Sequence, residues 1–190
     1  MNFSLTQEPV IYTPRLELHH ICANELFTLF ETPESDSIYI GHTYSNPFRV
    51  LVDDKGPLPW RVPQVRENES VNKWFVRWIV LAETREIIGS TSFHGAPDQQ
   101  GMIEIGLGLE EPFRNRGFGY ESLLGMWQWV LTQPHVQMLR YTVSPDNAPS
   151  IALIKKFGFV RVGQQMDEVD GPEDIFEMSA SEFRRDNPAT

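Results

Sequence analysis

The sequence predicts a mixed α/β (α+β) fold in which a mostly antiparallel central sheet is flanked by helices, and three observations carry this. Three β-branched or apolar runs follow one another between Trp74 and Leu109. Two amphipathic helical stripes alternate with strands after Leu109. Turn residues sit at the joints between these segments. Period-2 runs bounded by turns mark strands, and 3.6-period stripes mark helices. Their alternation makes a layered sheet with helices on it.

Taken in order, Leu16-Glu17-Leu18 alternates as a short strand, and Asn24 is placed as the cap of a first helix carrying Leu26, Leu29 and Phe30. From Thr32 to about Asn72 the periodicity fades among five prolines and two glycines. This is a loop-rich insert with one or two short helices, inside a single domain spanning residues 1–190. A long insert in one domain is often a binding lid. Trp74 to Ala82, Glu86 to Phe93 and Met102 to Leu109 are the next strands, with Thr84-Arg85 turning the first pair into a hairpin. Gly106 and Gly108 inside the third imply a bulge or a close backbone approach. Tyr120, Leu123, Leu124, Trp127 and Leu131 have helical spacing, and Pro134 stops that helix. Met138 to Val143 is a strand. Asn147 caps a second helix, Pro149 is tolerated in its first turn, and Gly158 closes it. Phe159 to Gln165 and Ile175 to Met178, joined at Asp170-Gly171-Pro172, complete the sheet.

Composition limits the function classes. With 16 basic against 26 acidic residues the formal charge is −10. Such a field opposes nonspecific nucleic-acid binding and favours the approach of a cation such as an amine, although solubility alone also explains it. No apolar run approaches the roughly 20 residues of a membrane span. The first residues lack the pattern of a signal peptide. The single cysteine, Cys22, allows no internal disulfide and agrees with a reducing, cytoplasmic compartment.

The chemistry concentrates between Leu109 and Tyr120. A glycine-bearing strand enters the turn Arg114-Asn115-Arg116-Gly117-Phe118-Gly119, which opens into a helix. Helix N-termini present N–H groups and positive dipole ends to phosphate oxygens. Gly117 and Gly119 let the backbone approach, and Arg114 and Arg116 add charge. On spacing alone, a turn of this kind is more often structural. A P-loop needs a Gly-Lys-Ser/Thr ending and a dinucleotide fingerprint needs Gly-x-Gly-x-x-Gly, and neither is present.

RNRGFG resembles the Arg/Gln-x-x-Gly-x-Gly/Ala signature of the GNAT superfamily of N-acetyltransferases. Asn147-Ala148-Pro149-Ser150 through Lys156-Phe157-Gly158-Phe159 is similar to a second motif of that family. Thr13-Pro14-Arg15-Leu16-Glu17-Leu18 resembles the opening of its ribosomal-protein N-terminal (alanine/serine) acetyltransferase branch. The resemblance covers about 13–179 and leaves the insert unmatched. It implies acetyl-CoA as co-substrate, lying between splayed middle strands, and no metal. It implies backbone pairing of the pantetheine near Leu107, Gly108 and Leu109. The pyrophosphate would take N–H groups of Arg116, Gly117, Gly119 and Tyr120 and the Arg114 segment, with Asn147 and Ser150 toward the pantetheine or thioester.

Amine acetylation needs a group that removes a proton. Glu104, on the strand leading to the loop, is the first candidate base, against the plain role of a solvated strand glutamate. Many relatives supply the acid for the thiolate from a tyrosine where this chain has Ile154. Ser150, Tyr141 or solvent then substitutes. His94 is an alternative base. His19 and His20 lack metal partners at recognisable spacing, and Cys22 lacks activation. Tyr44, His42 and Trp60 either wall the acceptor pocket or pack the insert. Lys155 and Lys156 either reach the adenosine phosphate or favour their helix C-terminus. The acceptor is an amine of a small molecule or peptide N-terminus, with neither nucleic acid nor membrane as partner, and a terminal strand or the insert is available for a homodimer contact. The alternative is a non-catalytic acyl-CoA-binding sensor.

Overall fold

Alternating apolar residues lay down the strands of a computed structural model that describes residues 8–34, 44–169 and 171–188. The elements are β1 (Ile11–Tyr12), β2 (Leu16–His20), α1 (Ala23–Glu31), α2 (Leu58–Glu67), β3 (Arg77–Leu81), β4 (Ile87–Phe93), β5 (Met102–Leu109), α3 (Phe118–Val130), β6 (Met138–Val143), α4 (Ala148–Lys156), β7 (Val160–Asp167), β8 (Gly171–Ser179) and α5 (Ala180–Asp186). The strand order is β1-β2-β3-β4-β5-β6-β8-β7. β1–β2, β2–β3, β3–β4, β6–β8 and β7–β8 are antiparallel, and β5–β6 is parallel. This is the mixed, mostly antiparallel sheet flanked by helices that the sequence predicts.

The chain groups into two compact units. The first comprises residues 1–94 and 107–125. Its strand β3 is buried at Arg77–Val80 and its strand β4 throughout. Leu16, Leu18, Leu26, Leu29, Val62, Val76 and Ile79 are fully covered. Gly125 lets α3 lie close to β1 and β2, since a Cβ there would stand 3.0 Å from the Thr13 methyl carbon. Arg85, at φ 64°, makes the β3–β4 turn, and its N–H bonds the Leu81 carbonyl at 2.8 Å.

The second unit comprises residues 95–106 and 126–190. Its core is aromatic: the Trp127 and Phe159 ring centroids are 5.8 Å apart, and Phe157 stacks on Phe183 at 6.0 Å. The parallel register pairs Met102 with Met138, Ile103 with Leu139 and Glu104 with Arg140. From there β6 runs on to Val143.

Some boundaries differ from the sequence reading. The cap of α1 is Cys22, not Asn24, because the Glu25 carboxylate bonds back to the Cys22 N–H at 3.1 Å. Trp74 closes a short 3-10 helix from Glu69 rather than opening a strand. α5 is an element the sequence reading lacks, although Ser179 and Glu182 form a capping box that announces it. Asp170, in the expected β7–β8 turn, lies outside the described residues. Among those residues no helix is long and apolar enough to cross a membrane.

Candidate active site

The loop of the first unit is built from its backbone. After β5, Glu111–Phe113 make one 3-10 turn, and Arg114 is extended at φ −71°, ψ 157°. Asn115 and Gly117 then take left-handed φ values of 58° and 83°. Asparagine and glycine are the residue types that enter this region at least cost. Phe113 anchors the turn from below, its ring 5.2 Å from Phe48 and 6.3 Å from Phe118. The Arg114 Nε donates to the Leu109 carbonyl at 2.8 Å, and the Arg116 guanidinium lies 5.3 Å from the Phe118 ring centre. Both arginines remain exposed. The Glu121 N–H bonds the Gly117 carbonyl at 3.1 Å. The N–H groups of Gly117, Phe118 and Gly119 therefore precede that first bond of α3, at the positive end of its dipole.

Upstream, two glycines have opposite roles. A Cβ on Gly89 would stand 2.2 Å from the Gly108 carbonyl oxygen, so Gly89 is what allows β4 and β5 to approach. A Cβ on Gly108 would meet nothing within 4 Å. The close approach expected from the β5 glycines thus depends on Gly89, while Gly108 is exposed beside Leu107 and Leu109 and borders open space.

The second unit holds the proton-transfer candidates in two separate pairs. On β5, the half-buried Glu104 carboxylate accepts the Thr142 hydroxyl at 2.5 Å. Its register partner Arg140 is committed to Glu177, with Nε donating at 2.8 Å. On β6, Leu139, Tyr141 and Val143 are buried, and the residues between them are half-buried. Tyr141 is buried, which pushes its phenol above the usual tyrosine value, and the nearby Ser150 hydroxyl acts the other way. Alternation along β6 therefore puts Tyr141 with Ser150 and Thr142 with Glu104 on opposite faces of the strand. The structure does not bring Glu104 and Ser150 onto one face. Asn147 serves as the α4 cap, its side-chain oxygen accepting the Ser150 N–H at 3.2 Å. Ile154 is fully buried. Lys155 and Lys156 lie exposed in the last turn of α4.

His20 and Tyr44 are engaged in contacts within the first unit. His20 Nδ1 accepts the Glu8 N–H at 3.2 Å, and Nε2 is 2.9 Å from the Asn72 carbonyl. Burial holds its pKa down, to about 4. His19 is likewise buried. Burial pushes the Cys22 thiol up to about 11, which removes it as a nucleophile. The Tyr44 hydroxyl donates to Glu17 at 2.7 Å, and Arg85 reaches the same carboxylate at 2.5 Å. Tyr44 therefore ties the insert to β2. Trp60 is exposed on α2, and His94 is exposed at the end of β4. His42 lies outside the described residues.

Thr142, the hydrogen-bond partner of the candidate base Glu104, is not singled out by the sequence. Its place on β6 is visible in the alternation of that strand, but its partner on β5 depends on the parallel register.

Residues 15–160 match the model of the acetyltransferase (GNAT) domain. The chain belongs to the GNAT family of acetyltransferases. The matched span of this GNAT chain contains the Arg114–Gly119 loop, Glu104 and the Asn147–Ser150 cap. It is similar to the uncharacterized N-acetyltransferase YjdG of Bacillus subtilis (strain 168), at 32% identity over 103 residues. That alignment covers 52% of this chain, which spans 61% of the relative's length. Its fold is similar to the ribosomal-protein-S5-alanine acetyltransferase of Vibrio fischeri, with TM-score 0.63 and 12% identity over 93% of this chain and 99% of that one. It is also similar to RimL, the ribosomal L7/L12 alpha-N-protein acetyltransferase in complex with coenzyme A, with TM-score 0.61 and 15% identity over 90% and 98% of the two chains. At these identities the structural likeness establishes the fold.

Proposed function

We propose that this GNAT chain transfers the acetyl group of acetyl-CoA to a primary amine, on a peptide or protein N-terminus or on a small molecule, by direct attack in a ternary complex. The observation that carries the proposal is the loop from Arg114 to Tyr120, whose left-handed Asn115 and Gly117 lead into the start of α3. In this reading Arg114, Arg116, Gly117, Gly119 and Tyr120 hold the pyrophosphate. Leu107, Gly108 and Leu109 offer backbone to the pantetheine, for which the space beside Gly108 is suited. Asn147, at the first turn of α4, is the further cofactor contact of this reading.

The amine nitrogen bonds to the thioester carbonyl carbon, the carbon–sulfur bond breaks, and one amine proton must leave. Glu104 takes that proton, directly or through a water, with its carboxylate oriented by Thr142. Such a base contributes typically about 10²–10⁴-fold. An α-amino group, with a reference pKa of about 7.7–8.0, keeps a substantial neutral fraction near physiological pH, whereas a lysine near 10.4 does not. A peptide N-terminus is therefore the easier nucleophile. The thiolate recovers a proton from the Tyr141–Ser150 pair or from solvent, since a thiol with a pKa of about 8.5 is a competent leaving group.

Thiol release over a panel of peptide N-termini, polyamines and aminoglycosides tests this, with turnover expected on at least one amine class. The buried Ile154, placed where many relatives carry tyrosine, favours a second reading: a sensor that binds acyl-CoA without turnover. Tight acetyl-CoA binding with no turnover on any amine would select it. Absence of acetyl-CoA binding would remove both.

A further inference from the structure

We propose that Arg15 is a positioning residue that sets the phosphate loop by joining the Thr13–Leu18 segment to the start of α3; this rests on the acetyl-CoA reading above. The motif at the front of the chain and the loop motif, both in the first unit, are one structure across a sequence separation of 106 residues. Arg15 Nε donates to Glu121 Oε2 at 2.7 Å, and the Arg15 N–H donates to Glu121 Oε1 at 2.7 Å. The Thr13 hydroxyl donates to the same Oε1 at 2.6 Å. The other arm of the guanidinium, Nη1, donates to the Arg116 carbonyl at 3.1 Å. Its carbon lies 4.4 Å from the Phe118 ring centre, and a Cβ on Gly117 would stand 3.2 Å from Nη2.

Two physical consequences follow. A trans peptide is planar, so its C=O and N–H point in opposite directions. Pinning the Arg116 carbonyl on one side therefore aims the Gly117 N–H to the other, and that N–H is one of the proposed phosphate donors. The conformation being held is an uncommon one, with Asn115 and Gly117 both at positive φ. The second consequence is electrostatic. Glu121 stands in the first turn of α3, where its charge would repel a phosphate. Arg15 pairs that carboxylate, whose side chain is only 12% exposed. A guanidinium supplies the fork for both tasks at once, which a lysine ammonium, as a point charge, does not.

The test measures CoA affinity by calorimetry, and kcat and KM with acetyl-CoA and with S-acetylpantetheine, which lacks the pyrophosphate. Arg15→Gln is expected to raise the CoA Kd about tenfold, the scale of a lost charge-assisted contact. The effect should fall on the acetyl-CoA KM and leave the S-acetylpantetheine KM unchanged. Arg15→Lys is expected to recover part of the loss. Arg15→Gln/Glu121→Gln should stay weak, because removing the repulsion does not restore the carbonyl contact. A CoA Kd within about twofold of wild type in Arg15→Gln overturns the proposal. So does an equal rise in both KM values, or full recovery in the double variant. If Arg15→Gln does not fold, Arg15→Lys carries the same criteria with a partial loss expected. A wild-type chain that binds no CoA overturns the underlying reading, and this proposal with it.

Discussion

The loop from Leu109 to Tyr120 and the strand pair carrying Glu104 and Tyr141 are built on different principles. The loop works through backbone: two left-handed residues, a helix start and a glycine beside open space. Its side chains mostly hold the backbone still, as Arg114 does on the Leu109 carbonyl. The strands work through side chains, and Glu104 is defined by its partner Thr142. A backbone device needs particular residue types at particular spacings and leaves a motif. A side-chain device needs only that two residues meet, and leaves almost none.

Glu104 gives the strongest test of this contrast. Glu104→Gln keeps the shape and removes the base, so kcat/KM for the preferred amine should fall by about 10²–10⁴-fold while CoA affinity holds. Full activity in this variant would strip the strand pair of its chemical role and return Glu104 to a solvated strand residue.

Burial makes stability pH-dependent at His20. Its folded pKa of about 4 lies below the ordinary 6.5, so the folded state favours the neutral ring. Above pH 6.5 neither state holds the proton, and the stabilisation is fully present. As pH falls from 6.5 toward 4 the unfolded chain takes the proton first, and about 3 kcal/mol should be lost. Urea midpoints followed from pH 7 to 4.5 should show that loss in the wild type and a much flatter profile in His20→Asn. Equal slopes in both would show that His20 does not set it.

For the backbone device, Gly108→Ala is expected to leave the melting temperature nearly unchanged, because the added Cβ meets nothing within 4 Å. CoA binding should weaken about tenfold or more, a loss of roughly 1.4 kcal/mol or above. Unchanged binding would remove the pantetheine from that space. The smallest effect concerns Asn147. Asn147→Ala should cost about 1 kcal/mol of stability as a lost cap, whereas Asn147→Asp should keep it. If Asn147→Asp melts like wild type but binds CoA weakly, the amide contacts the cofactor as well as capping α4.

Elements with strong local signals are legible in the amino-acid order alone. β5 and β6 have the bounds that alternation predicts, and Asn147, Pro149 and Gly158 frame α4 through local backbone preferences. Asn24 misleads because a good capping type stands two residues after the cap that Glu25 reinforces. α5 is legible in Ser179 and Glu182 but carries a short, weak stripe. The extent of β3 is obscured because Trp74 and Phe75 are apolar in either conformation, so burial does not distinguish the 3-10 turn from a strand.

The fold class and the family resemblance are carried by the amino-acid order, because both rest on local spacing of glycine, arginine and apolar residues. Only the tertiary structure decided that Gly89, not Gly108, sustains the close strand approach, and that Thr142 accompanies Glu104. It alone joined Arg15 to Glu121 and the Arg116 carbonyl. The physical reason is the same each time. These are contacts between residues far apart in the chain, and strand register and helix docking, not spacing along the chain, bring them within hydrogen-bond reach.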